Sequence, residues 1–274
     1  MHTPSAQPSG RLFAVLATLV AVLATAFVLA PHTLAATRAT GGFSEVSTLR
    51  RTLRQAFAEY WSSGERDPTP GLQTVIDYWS RYHLVKAAIA VILLIVLIVL
   101  GVVVWKAFSR SGGLRAAAFA SAGVLVTMLA LSCVLLVVAN IQGAVAPFAS
   151  LLPMLAAGGS GGRLGDTLGQ VRQRLADSST TGPLEVMISD FVRYHAAMAV
   201  AGAVVVAVFA GLSVASWRWL ARTPRSDRRT RRVLGSYGVL SAVFPLFMGV
   251  VVMANTATAM DPAPALLAFF EGGW

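Results

Sequence analysis

The sequence predicts an all-α fold: a polytopic transmembrane bundle of five helices built as a parallel tandem repeat. Three observations predict it: a charge-poor apolar composition, five apolar runs of bilayer length, and a self-match at a fixed spacing. The chain has 274 residues, 56% hydrophobic and 12% charged, where a soluble chain carries about 25% charged residues. Its mean hydropathy is +0.69. Too few polar residues remain to cover a water-facing surface, which excludes a disordered chain and an ordinary soluble domain. The formal charge of +10 comes from 20 Arg and 2 Lys against 12 acids, an arginine bias that fits a GC-rich bacterial genome. Cys133 is the single cysteine, so an internal disulfide and a cysteine-ligated zinc site are excluded.

A helix rises about 1.5 Å per residue and needs roughly 20 apolar residues to cross about 30 Å of hydrocarbon. The runs at 12–30, 84–105, 116–139, 196–217 and 233–254 meet that length. Backbone amides in lipid must pair within their own segment, so each run is expected to be helical. That holds for 84–105 too, despite its strand-like Ile and Val content. The first run also resembles a signal peptide, with Arg11 as its basic start and Thr33-Leu34-Ala35 as a cleavage site. Its 19 residues exceed the about 7–15 of a signal core, and it is read as a retained helix.

Direction follows from the basic residues. The N-terminus, 106–115 and 218–232 hold eleven Arg or Lys, whereas the much longer 31–83, 140–195 and 255–274 hold ten. The positive-inside rule then places the N-terminus in the cytoplasm and the C-terminus, with Asp261 and Glu271, outside. Tyr78, Trp79, Tyr82, Phe191 and Tyr194 are expected at the outer interface, and Trp105, Trp217 and Trp219 at the inner one.

The self-match has a spacing of 115, then 112. Leu49, Thr52, Leu53 and Gln55 recur as Leu164, Thr167, Leu168 and Gln170, Asn140 as Asn255, and Pro147 as Pro262. Arg81-Tyr82-His83 recurs as Arg193-Tyr194-His195, and Trp105 as Trp217. The expected units are 1–115 and 116–232, each a span, an outer segment and a second span, and a partial third unit at 233–274. The outer segments are 31–83 and 140–195. Apolar residues at helical spacing predict amphipathic helices over 43–61 and 162–176, on the bundle or the bilayer surface. Turns are expected at Asp67-Pro68-Thr69-Pro70-Gly71 and 178–183, each followed by a helix, from near Leu72 or Leu184, that runs on into the next span.

Candidate chemistry is sparse. Asp77 with Arg81 and Asp190 with Arg193 have the spacing of intrahelical ion pairs. Tyr82 and Tyr194 suit an aromatic belt. His83 and His195, with His32 as a possible third, are the only metal or haem ligands suggested; interfacial anchoring is favoured over ligation, and no cofactor or metal is assigned. Asn140 and Asn255 close apolar runs and can cap helix ends, bond across the bundle or line an outward-facing polar cavity, with capping favoured. Ala199, Ala203, Ala207, Gly211 and Ala215 form a small-residue ridge expected to pack on another helix. Lys86 lies close enough to a span end to snorkel, and the spans otherwise lack the charges of ion-coupled transport. Ser160 formally matches G-x-S-x-G but lies in a glycine-rich linker without the motif's strand–turn–helix setting. The arginines of 218–232 are explained by topology and anionic lipid rather than nucleic acid.

Helix pairs with large outer segments resemble tetraspan proteins such as claudins in layout alone, because the claudin cysteine signature is absent. These readings favour a non-enzymatic bacterial plasma-membrane protein whose outer helices bind a protein or lipid partner, with a homo-oligomer as one form of protein partner. A passive channel or small-solute permease is the alternative. A haem- or metal-binding redox subunit is a further one.

Overall fold

The computed structural model describes residues 10–37, 43, 45–156, 161–177 and 182–273. Ser160 and most of the turn expected at 178–183 lie outside the described residues. Among those described there are nine helices. They are α1 (Gly10–Ala35), α2 (Val46–Ser63), α3 (Pro70–Arg110), α4 (Gly113–Val145), α5 (Pro147–Ala156), α6 (Gly162–Ala176), α7 (Pro183–Arg222), α8 (Arg228–Met260) and α9 (Pro262–Glu271). Five of them, α1, α3, α4, α7 and α8, are long and apolar enough to cross a membrane, consistent with a multi-pass membrane protein.

Local chemistry explains the boundaries. Helices α3, α5, α7 and α9 each begin on a proline, whose fixed φ and missing N–H suit the first helical position. Helix α2 stops at Gly64, which has φ +71° and returns its N–H to the Trp61 carbonyl. Asp227 precedes α8 and accepts the Thr230 N–H at 3.1 Å; the Thr230 hydroxyl first, and then this N–H, hold its carboxyl below the ordinary value. Helices α3 and α7 have 41 and 40 residues. Each extends well before the apolar run it contains, as the expected starts near Leu72 and Leu184 imply. The ten-residue helices α5 and α9 were not expected.

The described residues form two compact units, each drawn from three stretches of chain. Counting described residues alone, the first draws on 10–29, Lys86–Val138 and Val205–Phe247, and the second on those within 30–85, 139–204 and 248–273.

In the first unit, Leu93, Leu97, Leu100 and Val104 of α3 make one buried stripe, packed with Leu16, Val126 and Cys133. The Cys133 thiol donates to the Ala90 carbonyl at 3.1 Å. Two tryptophans lie over glycines. A Cβ on Gly123 would stand 2.8 Å from the Trp105 ring, and one on Gly238 2.9 Å from the Trp217 ring. The opposite face of α3 leaves Ile95 56% and Ile98 55% exposed. Such a face is a liability in water but is at ease against acyl chains. Lys86 sits with its ammonium 4.4 Å from the centre of the Phe27 ring.

In the second unit the short helices build a core of their own. Leu49, Leu53 and Phe57 of α2 meet Leu151, Leu152 and Leu155 of α5, Val171 and Leu175 of α6, and Leu266 and Phe270 of α9. Leu72, Val75 and Tyr78 of α3 and Leu184 and Met187 of α7 complete it. The apolar faces of α2 and α6 are therefore already covered by protein, which corrects the bilayer-surface placement considered for them. Arg54 on α2 donates to the Met154 carbonyl near the end of α5, and Arg172 on α6 donates to the Phe270 carbonyl near the end of α9. A cation there answers the negative end of each helix.

Tyr60 lies in this core and donates its hydroxyl to the Arg66 carbonyl at 2.7 Å. Desolvation first, and then the Asp67 charge, push its phenol up to about 12. The folded state therefore holds the proton more tightly than an unfolded chain does. The stability carried by this phenol is complete below about pH 10 and lost as pH rises towards 12. In detergent, the melting temperature of the wild-type protein should fall more steeply between pH 10 and 12 than that of Tyr60→Phe. Parallel pH profiles would contradict this.

Candidate functional site

Two histidine–asparagine pairs are the most distinctive polar feature, and both lie in the second unit. His83 on α3 bonds through Nδ1 to Asn140 Oδ1 on α4 at 3.0 Å. His195 on α7 bonds through Nδ1 to Asn255 Oδ1 on α8 at 2.8 Å. Asn255 also donates its Nδ2 to the Val251 carbonyl at 2.8 Å, which orients its Oδ1 towards the histidine. An amide oxygen only accepts, so His195 carries its proton on Nδ1. Each pair ties two adjacent long helices together.

Aromatic rings enclose the imidazoles. Trp79 stands edge-on to His83 at 4.8 Å and lies flat against Tyr82 at 5.0 Å. Its indole donates to Ser150 Oγ at 2.8 Å. Phe191 and Tyr194 pack on His195 at 4.5 and 5.4 Å. A Cβ on Gly143 would fall 2.8 Å from the His83 ring, so glycine makes room for that imidazole. His32 has its Nδ1 3.3 Å from the Tyr78 hydroxyl and its ring 4.9 Å from Tyr82, which in turn packs on His83 at 5.6 Å. Among the described residues, no three His, Cys, Asp or Glu side chains group as a metal site.

The remaining expectations divide. Arg193 does reach Asp190, with Nη1 to Oδ1 at 3.2 Å. Asp190 is also buried, and its Oδ2 accepts the Ala149 N–H at 2.8 Å. A carboxylate on α7 thus caps the first turn of α5, a role the sequence did not reveal. Asp77 accepts instead from Gln73 Nε2 at 2.7 Å, and Arg81 donates to Thr37 Oγ1 at 2.9 Å. The expected Asp77–Arg81 pair is therefore not formed. Asn140 and Asn255 are not helix caps, because α4 continues to Val145 and α8 to Met260. They stand inside the helices and bond sideways.

The small-residue ridge also differs from its expected packing. Ala203, Ala207 and Gly211 are exposed, with Ala199 and Ala215 half-buried. The close approach on α7 occurs at Gly202, whose Cβ position lies 2.8 Å from Val252 of α8. Among the described residues, the middle of the ridge is thus left open rather than packed on another helix.

Comparison with protein-family models, curated proteins and solved structures found no match to this chain.

Hydrogen bonds between membrane helices are worth about 0.6 kcal/mol on average and about 1.7 at most. A double-mutant cycle with His195→Ala and Asn255→Ala, read by SDS-induced unfolding, should return a coupling in that range. A coupling of zero would contradict the pairing.

Proposed function

We propose that the chain is a non-enzymatic protein of the bacterial plasma membrane that uses an extracytoplasmic helical body to bind a partner. The observation that carries this reading is the independent core under α2, α5, α6 and α9. Segments that merely link spans have no need to bury Leu53, Leu151, Leu155 and Leu266 completely. A body with its own core offers a fixed surface, which lowers the ordering cost of binding.

The charges on that surface favour a protein over a lipid headgroup layer. Exposed positions on α2 include Arg51 and Glu59, and those on and beside α6 include Arg163, Asp166, Arg172 and Asp177. The two signs are interspersed. An anionic bilayer would select a uniformly basic face, whereas a mixed pattern suits a complementary protein surface.

Orientation belongs to the same reading. The basic turn 218–232 is read as cytoplasmic, and the outer segments 31–83 and 140–195 as extracytoplasmic. So does the parallel tandem repeat. Helices α4 and α8 each have 33 residues and α5 and α9 each have 10, and the starts of α4 and α5 recur 115 positions later as those of α8 and α9. The His–Asn pairs use residues that recur at 112 and 115.

A photo-crosslinker placed at Glu59 or Asp166 in living cells is expected to capture one and the same protein from both positions. The same probe at Ile95 should capture lipid only. Proteoliposomes holding the full chain should leak small solutes no faster than empty vesicles. Lipid-only adducts at Glu59 and Asp166, or fast solute flux, would overturn the proposal.

A further inference from the structure

One side of α7 carries a groove of about 340 Å³ lined by Gly211, Val214, Ala215, Arg218, Trp219 and Arg222. The spacing puts these residues on a single helical face over three turns. Gly211 leaves the apolar end open, since a Cβ there would meet nothing within 4 Å. The other end holds two guanidinium groups one turn apart. Among the described residues the ion pairs are Arg66–Glu185 and Arg193–Asp190, so neither Arg218 nor Arg222 has a carboxylate.

Their neighbours are committed differently. Arg231 donates to the Leu220 and Thr223 carbonyls at 2.8 and 2.9 Å, closing the end of α7. Arg229 donates to the Ser111 carbonyl. The basic segment therefore contains structural arginines and, separately, two that border the groove.

The geometry points to an anionic phospholipid as the occupant, its phosphate on Arg218 and Arg222 and an acyl chain along Gly211, Val214 and Ala215. Guanidinium forks match phosphate oxygens in charge and in donor geometry. Trp219 beside them suits the boundary between headgroup and hydrocarbon. A second copy of the chain fits less well on charge grounds. Two copies sharing one membrane are related by an axis along its normal, which would bring each arginine pair towards its own counterpart.

The purified full chain in neutral detergent, titrated with phosphatidylglycerol, phosphatidylcholine of the same acyl chains, or inorganic phosphate, provides the test. Native mass spectrometry and thermal shift should show binding and stabilisation by phosphatidylglycerol alone. Arg218→Gln with Arg222→Gln should weaken that binding roughly tenfold or more. Gly211→Leu, which fills the groove and keeps the charge, should weaken it as well. Arg225→Gln with Arg228→Gln makes the same change in charge outside the groove and should leave binding unchanged. Equal binding by the Arg218/Arg222 variant, equal loss in the Arg225/Arg228 control, or equal stabilisation by inorganic phosphate would overturn the proposal. So would disulfide-linked dimers formed through Ala207→Cys in a Cys133→Ala background, which would assign the face to a second copy.

Discussion

The pairing of backbone polar groups without water governs this structure. An N–H or C=O left unpaired in hydrocarbon costs several kcal/mol, and a continuous helix pairs all but those at its ends. Five apolar stretches therefore become five unbroken helices of 26 to 41 residues. The same constraint acts on side chains. Thr127 meets the Tyr237 hydroxyl at 2.9 Å, and Ser213 donates to the Gly238 carbonyl at 3.3 Å. With little hydrophobic drive between helices in lipid, such bonds and close packing at Gly123, Gly202 and Gly238 hold the helices in register.

The second unit obeys different physics. Its short helices are held by conventional burial of leucines and aromatic residues, worth about 1.5–3 kcal/mol for each large side chain fully buried. Their ends are tied by charge. Asp190 serves the start of α5, and Arg54 and Arg172 serve the ends of α5 and α9. Trp61 joins α2 to α6 by donating to Gln170 Oε1 at 2.9 Å, with Arg174 over its ring at 5.0 Å.

The spans were legible because composition and run length decide them, and α2 and α6 because their apolar residues keep helical spacing. Helices α5 and α9 were not legible. Each is ten residues long, too short for periodicity to speak, and α5 carries Pro153 inside it. The histidines and asparagines were each singled out, yet their pairing was hidden. His83 and Asn140 are 57 residues apart, and His195 and Asn255 are 60 apart, so only the packing of neighbouring helices joins them. The asparagines looked like caps because the apolar runs end beside them, at Ala139 and Ala254. Helical backbone outlasts those runs by more than a turn. The Asp77 pairing failed because Gln73 lies as close along the helix as Arg81 does and takes the carboxylate.

Five crossings by the long helices place residues 111 and 226 on one side of a bilayer and residue 62 on the other. Single cysteines at Ser62, Ser111 and Ser226, in a Cys133→Ala background, allow a direct measurement with a membrane-impermeant maleimide. In sealed vesicles of known orientation, positions 111 and 226 should label from one face only and position 62 only from the other. Labelling of all three from the same face would contradict the account.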